Sequence, residues 1–332
     1  MPMGLKTQGF VKIETLAKVT LRLEVGSRLP DGYHQVRIAL VPVSLRDSLH
    51  LKVEEGEGVL LEVEGESGED VDLGPAEDNL AVRAARSFLA ELGRPLRIHL
   101  RLIKRIPAGA GLGGGSGNAA GVLVGLNRWM GAPLSSQALE RLATGLGMDV
   151  PFFLAARPSW AEGRGERLRP LDVIPGLALL VACPDFAIST ARAYELVTPG
   201  VVVPDDVVPN NVAPNGVVPN GVVSNGVVLN SLATREDPPM GTVEDVAAAL
   251  ANHFEAALFP RYPELAEVRE RLLDAGALGA CLSGSGSALF GLFPHDQARD
   301  EAATAMAAEA EARRWRLYPC TTLPGHDYEP LD

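Results

Sequence analysis

Residues 107 to 120 read Pro-Ala-Gly-Ala-Gly-Leu-Gly-Gly-Gly-Ser-Gly-Asn-Ala-Ala, with five glycines among the seven residues from Gly109 to Gly115. That density costs too much backbone entropy for an ordinary helix or strand, and it constrains the fold more than any other stretch. What glycine offers in return is close backbone approach and a free φ, so consecutive N–H groups can converge on an anion. Ile103 and Ile106 precede the segment, and Asn118 to Met130 follows with a helical apolar pattern. The loop therefore runs into a helix N-terminus, where free N–H donors and the positive end of the helix dipole make a phosphate site. The alternative is a flexible surface linker, which would be rich in Ser, Lys or Glu and would lack the apolar frame on both sides.

Three kinds of phosphate loop can be separated by residue. A Walker A loop ends in Gly-Lys-Ser/Thr, and here Gly115-Ser116-Gly117 carries no lysine. The spacing Gly109-x-Gly111-x-x-Gly114 fits a dinucleotide fingerprint. That fingerprint also needs a carboxylate about 20 residues on, at the end of a strand. The chain there reads Met130-Gly-Ala-Pro-Leu-Ser-Ser136, with neither. The third kind runs Pro-x-x-x-Gly-Leu-Gly-Gly-Gly-Ser into a helix, and Pro107 to Ser116 match every named position. This resembles the phosphate loop of the GHMP kinases, the family of galactokinase, homoserine kinase and mevalonate kinase. The resemblance implies that Pro107, Ala108, Gly109, Ala110, Gly111, Leu112, Gly113, Gly114, Gly115, Ser116 and Gly117 wrap the phosphates of ATP.

At 332 residues the chain exceeds the usual size of one domain, so two modest domains are expected. A net charge of −12 leaves no excess of Lys and Arg, which argues against nucleic acid or an anionic membrane as partner. Positive potential for a nucleotide must then be concentrated locally. Cys183, Cys281 and Cys320 form no CxxC pair and read as buried reduced thiols. The N-terminus has no apolar core of a signal peptide, and the longest apolar run, Leu177 to Cys183, is too short for a bilayer. A cytoplasmic monomer or homodimer acting on a small molecule is expected.

Periodicity predicts strands over 9–25, 36–43, 48–53, 60–63 and 96–102, and a helix capped by Asp78-Asn79 and ended by Gly93. A serine-capped helix over 135–146 follows, then a bend at 147–149 and an apolar strand through Leu154. Beyond it come a strand at 178–183, helices near 243–258 and 263–275, strands at 278–282 and 287–293, and a helix at 296–314. Strands and helices mix without regular βαβ alternation, so the class is α+β. From Val207 a pentapeptide of the type Val-Val-Pro-Asn-Gly repeats to Ser231. Proline every fifth residue forbids a helix or central strand, so about 200–232 reads as a low-complexity surface loop without catalytic role.

Phosphoryl transfer to a hydroxyl needs a positioned acceptor, a group to take its proton and positive charge at the γ-phosphate. Asp149, in Gly-Met-Asp-Val-Pro-Phe-Phe153, is either a partly desolvated functional carboxylate or a turn cap. Lys18 lies in a strand-like run, where a lysine ordinarily faces solvent. Tyr33-His34 after Pro-Asp-Gly reads as an exposed turn pair, and Ser283-Gly-Ser-Gly286 as a tight connection between strands.

The resemblance gives these residues roles. Ala17-Lys18, Arg28-Leu-Pro-Asp-Gly-Tyr-His34, Asp78-Asn79-Leu80, the glycine loop, Gly147-Met-Asp-Val-Pro-Phe-Phe153, Ala161-Glu-Gly-Arg-Gly-Glu166, Ile188-Ser-Thr-Ala-Arg-Ala-Tyr194 and Leu282-Ser-Gly-Ser-Gly286 succeed one another along almost the whole chain apart from the repeat. They look like the motifs of those GHMP kinases that act on a cytidine-diphosphate sugar alcohol in isoprenoid precursor synthesis. By that likeness Lys18 and Asp149 form the catalytic pair. Tyr33 and His34 grip a cytosine ring, Tyr194 meets its other face, and Thr190, Gly284 and Ser285 border the acceptor. Ser116 is the loop hydroxyl nominated for Mg²⁺.

The fold so implied has an N-terminal ribosomal-protein-S5-like domain over 1–160 and a C-terminal ferredoxin-like α+β domain over 161–328, with the site between them. The activity so implied is ATP-dependent phosphorylation of the acceptor's 2-hydroxyl. Another GHMP kinase with a different small acceptor would leave Tyr33, His34 and Tyr194 without a role. A degenerate nucleotide-binding relative is opposed by the retained Lys18 and Asp149. The chain departs from the family at Thr20, where Ala-Lys-x-Asn is usual, and at Gly117 and Asn118, where Ser-Asp is usual. These departures leave a slower or redirected activity open.

Overall fold

The computed structural model describes residues 11–197 and 236–326, and the repeat lies outside the described residues. The first half forms β1 (Val11–Arg28), β2 (His34–Glu55), β3 (Gly58–Gly65), α1 (Leu80–Leu92) and β4 (Leu96–Lys104). After the glycine loop come α2 (Gly114–Trp129), α3 (Ser136–Leu146), α4 (Val150–Phe153), β5 (Ser159–Gly163), β6 (Arg167–Pro170) and β7 (Ala178–Cys183). The rest comprises α5 (Thr190–Leu196), α6 (Val243–Ala249), β8 (Ala251–Asn252), α7 (Phe254–Leu258) and α8 (Pro263–Asp274). It ends with β9 (Gly279–Leu282), β10 (Leu289–Phe293), α9 (Asp296–Arg313) and β11 (Arg316–Thr321).

Two sheets organise the α+β fold. One runs β3-β4-β2-β1-β8, with β5 and β6 continuing from β2; the other is the antiparallel β11-β7-β10-β9. Residue 160 falls within β5, so strands on both sides of the expected boundary share the first sheet. One face of that sheet packs on α1 and α2 through residues such as Leu49, Leu100, Phe88 and Leu123. Its opposite face meets the second sheet through Val19, Val41, Val181 and Phe290. The far face of the second sheet is closed by α8 and α9. Strand β7 is buried at every position because successive side chains enter different cores: Val181 one, Leu180 and Ala182 the other.

Four expectations are corrected. The strands predicted over 36–43 and 48–53 are one strand, β2, because Ser44–Leu45 is a bulge rather than a break. Leu16 pairs with Arg46 while its neighbour Ala17 pairs with Val43. Val150–Phe153 is a helical turn, not a strand; Pro151 presets its first turn, and a four-residue apolar run has no readable period. The helix expected near 243–258 is interrupted at Ala251–Asn252, which pairs in parallel with Arg22–Leu23. Strands β5, β6 and β11 and helix α5 escaped sequence reading.

Helix α2 starts four residues earlier than predicted, inside the glycine loop. The cost of those glycines is offset by close packing onto β1. Gly117, Gly121 and Gly125 lie four apart on one face. A Cβ at them would stand 2.7 Å from the Leu16 carbonyl, 2.5 Å from Thr15 and 2.2 Å from Ile13. The usual family serine cannot fit at Gly117 without displacing the bulge, which explains that departure.

Candidate active site

The glycine loop, the β1–β2 turn, the bend before α4, α5 and the β9–β10 connection converge on one cavity of about 980 Å³. The run Pro107–Ser116 lines it together with Lys18, Tyr33, His34, Asp149, Thr190, Tyr194, Gly284 and Ser285. Gly117 alone among the residues expected at the site is not in the lining; it is buried against β1. Gly109, Gly111 and Gly113 all have positive φ, so the loop can turn its amides inward.

The loop is strapped to the β9–β10 connection. Ala288 N–H donates to the Ala110 carbonyl (3.0 Å) and the Ser283 hydroxyl to the Gly111 carbonyl (3.3 Å). Behind that connection, the buried Asn252 amide donates to both the Leu282 and Gly284 carbonyls at 2.8 Å. Those two carbonyls lie 30 and 32 residues away, while its Oδ1 accepts locally from the Phe254 N–H (2.9 Å).

Lys18 is not a solvent-face lysine. It is 4% exposed, its backbone N–H donates to the Leu112 carbonyl (2.9 Å), and its ammonium donates to Thr20 Oγ1 (3.0 Å). A Cβ on Gly284 would lie 3.0 Å from that ammonium, so the lysine tip sits between the loop and the β9–β10 connection. Burial pushes the Lys18 pKa below its ordinary 10.5, and the charge of Asp149 opposes that shift. Thr20, a departure from the family pattern, is thus the hydroxyl that orients Lys18. Asp149 is half-buried just before α4 and makes no capping hydrogen bond, so its carboxylate is not used as a turn cap.

At the other end Tyr33 is 51% exposed, with the Arg164 guanidinium 5.3 Å above its ring. Arg164 also reaches Asp31 (3.5 Å), which accepts from the Tyr33 N–H (3.1 Å). His34 and Tyr194 stack on each other at 5.3 Å and 11°, and Phe254 meets Tyr194 edge-on. Burial, with Asp149 nearby, pushes the Tyr194 phenol up to about 12. His34 is held below its ordinary 6.5 by burial and by Arg28, and its Nε2 is buried without a hydrogen-bond partner. Thr190 and Ser285 share a hydrogen bond of 3.1 Å. Among the described residues no group of three His, Cys, Asp or Glu could hold a metal, and no helix is long and apolar enough to cross a membrane.

Comparisons with known proteins give the family. The GHMP kinases N terminal domain matches residues 79–157, and the GHMP kinases C terminal domain matches residues 238–312. The 4-diphosphocytidyl-2-C-methyl-D-erythritol kinase of Symbiobacterium thermophilum is 41% identical over 87% of this chain and 92% of its own length. That of Pelotomaculum thermopropionicum is 38% identical over 83% and 86%. The crystal structure of a 4-(cytidine 5'-diphospho)-2C-methyl-D-erythritol kinase superposes with a TM-score of 0.67 at 35% identity, covering 95% of this chain and 100% of that one. The chain therefore belongs to the GHMP kinase family, and its fold is the two-part α+β fold of that family.

Proposed function

We propose that the protein is an ATP-dependent kinase that phosphorylates the 2-hydroxyl of 4-diphosphocytidyl-2-C-methyl-D-erythritol. The observation that carries this reading is one cavity lined by the glycine loop, by Lys18 and Asp149, and by Tyr33 and His34. The relatives of that name support the choice of acceptor.

The loop N–H groups and the start of α2 cradle the ATP phosphates. Asp149 orients the acceptor hydroxyl and takes its proton as the oxygen bonds to the γ-phosphorus; the bond to the bridging oxygen breaks and ADP leaves. The Lys18 ammonium, aimed by Thr20, stabilises charge on the transferring group. Mg²⁺ arrives with ATP as part of the substrate. The cavity offers it the Ser116 hydroxyl rather than a carboxylate cage, which fits an ion held chiefly by phosphates and water. The cytosine takes the open face of Tyr33, and His34 Nε2 is the buried polar atom that meets its edge.

Incubation with ATP and an acceptor panel, with ADP release followed, tests the whole reading. The cytidylated methylerythritol should turn over, and homoserine and mevalonate should not. Comparable kcat/KM for either of those two would overturn the choice of acceptor.

Tyr33→Ala should raise the acceptor KM about ten- to hundredfold, since a base–aromatic stack contributes roughly 1–3 kcal/mol. The KM for ATP should hold, and equal losses for both substrates would exclude a base site at Tyr33. Thr20→Val removes the hydroxyl without changing shape, and turnover should fall about tenfold from the loss of a hydrogen bond to a charged group. Thr20→Asn should retain more activity than Thr20→Val; the reverse order would deny Thr20 that role.

A further inference from the structure

One buried carboxylate outside the cavity has no part in the mechanism above. Asp47, just past the β2 bulge, is fully buried, and four donors fill its lone pairs. Its Oδ1 accepts from the backbone N–H groups of Arg105 (2.7 Å) and Ile106 (2.8 Å), the two residues before Pro107. Its Oδ2 accepts from the Lys104 ammonium and from Asn118 Nδ2 (3.0 Å). Asn118 lies in the second turn of α2, on the other side of the loop. A single carboxylate thus grips both ends of the glycine loop.

We propose that Asp47, with Asn118 as its neutral partner, is the positioning device of the phosphate loop. The Asn118 amide is fully used in this role. Nδ2 also donates to Thr15 Oγ1 (2.7 Å), and Oδ1 stands 3.5 Å from the Lys104 ammonium. The atom facing an acceptor-only carboxylate at 3.0 Å has to be a donor, which fixes the amide orientation. Lys104 packs behind the start of α2, its ammonium 3.2 Å from where a Gly114 Cβ would lie. A cation at a helix N-terminus opposes the dipole, and Asp47 neutralises it. The asparagine at 118, where the family pattern has aspartate, is therefore required by Asp47: a carboxylate there would face a second carboxylate across a buried contact. The inference rests on the reading of the loop as the ATP phosphate site.

The test is Asn118→Asp, which restores the family residue with no change of size. ATP binding by calorimetry should weaken at least about tenfold, while the KM for the cytidylated acceptor stays within about twofold. The exchange Asp47→Asn with Asn118→Asp keeps one carboxylate and one amide in contact and should recover most of the lost ATP affinity. Unchanged ATP affinity in Asn118→Asp, or an exchanged pair no better than the single variant, overturns the proposal. So does a loss shared equally by both substrates in proportion to a lowered melting temperature, which marks a purely structural role. Should Asn118→Asp fail to fold, Asn118→Ser removes the donor to Asp47 without adding charge. It should weaken ATP binding about threefold at constant acceptor KM, and an unchanged ATP affinity there also sinks the idea. Wild-type protein that binds no ATP would instead remove the functional reading on which this rests.

Discussion

Replacing Asp149 by asparagine should lower turnover at least about a hundredfold while leaving ATP binding intact. The substitution keeps size and removes the group proposed to take the acceptor's proton. Lys18→Met should cause a loss of similar order, with nucleotide still held by the loop. The two serve one step, so the double variant should be scarcely worse than the poorer single one. Additive losses would make Lys18 an independent phosphate contact, and near wild-type turnover in Asp149→Asn would remove the base mechanism. A pH profile gives a second reading of the same pair. Lys18 acts as a cation and its pKa is pushed below 10.5 by burial. The cation is therefore present below that lowered value, and its contribution to turnover is lost as pH rises through it. Lys18→Arg, whose guanidinium stays charged, should abolish that alkaline limb whatever its remaining rate. An alkaline limb unchanged in Lys18→Arg would assign the titration to another group.

The parts of this site that were legible in the sequence are those whose chemistry is local. The glycine loop declares itself by composition, and the N-cap of α1 at Asn79 and its left-handed C-cap at Gly93 stand where the residues placed them. Asp149 was ambiguous because a four-residue apolar run cannot announce a helical turn; the absence of a capping bond becomes visible only in three dimensions. Lys18 would have been read as solvent-facing without the family resemblance, because the helix that covers its strand is supplied by a distant segment. Thr20 departs from the family pattern, yet it is hydrogen-bonded to Lys18. The grip of Asp47 on the loop and of Asn252 on the β9–β10 connection has no local signal, since those atoms lie 58 and 30 residues away in the chain. The resemblance set Tyr33 and Tyr194 on opposite faces of a base, whereas one face of Tyr194 stacks on His34.

Gly111→Ala should abolish useful ATP binding, by at least about a hundredfold, and lower the melting temperature as well. At φ +77° an L residue is strained by roughly 1–2 kcal/mol. The larger effect is steric: the new Cβ would lie 2.2 Å from the Ser283 carbonyl oxygen and 3.1 Å from backbone atoms of Gly286. Both neighbours are main chain, so no rotamer can relieve the contact and the loop must separate from the β9–β10 connection. Gly113 would report less cleanly, because its Cβ would meet the Phe153 ring at 2.8 Å and Lys18 at 3.1 Å rather than open space. The informative control is Gly115, exposed in the cavity wall, where the nearest atom to a new Cβ is 3.7 Å away. Gly115→Ala should leave the melting temperature unchanged and weaken ATP binding only because a methyl now stands where the phosphates approach. If Gly115→Ala binds ATP like wild type while Gly111→Ala does not, the loop glycines serve the fit to the β9–β10 connection, and the phosphates do not come within methyl contact of Gly115. Weakening in both, with stability lost only in Gly111→Ala, separates the two demands that make this stretch so rich in glycine.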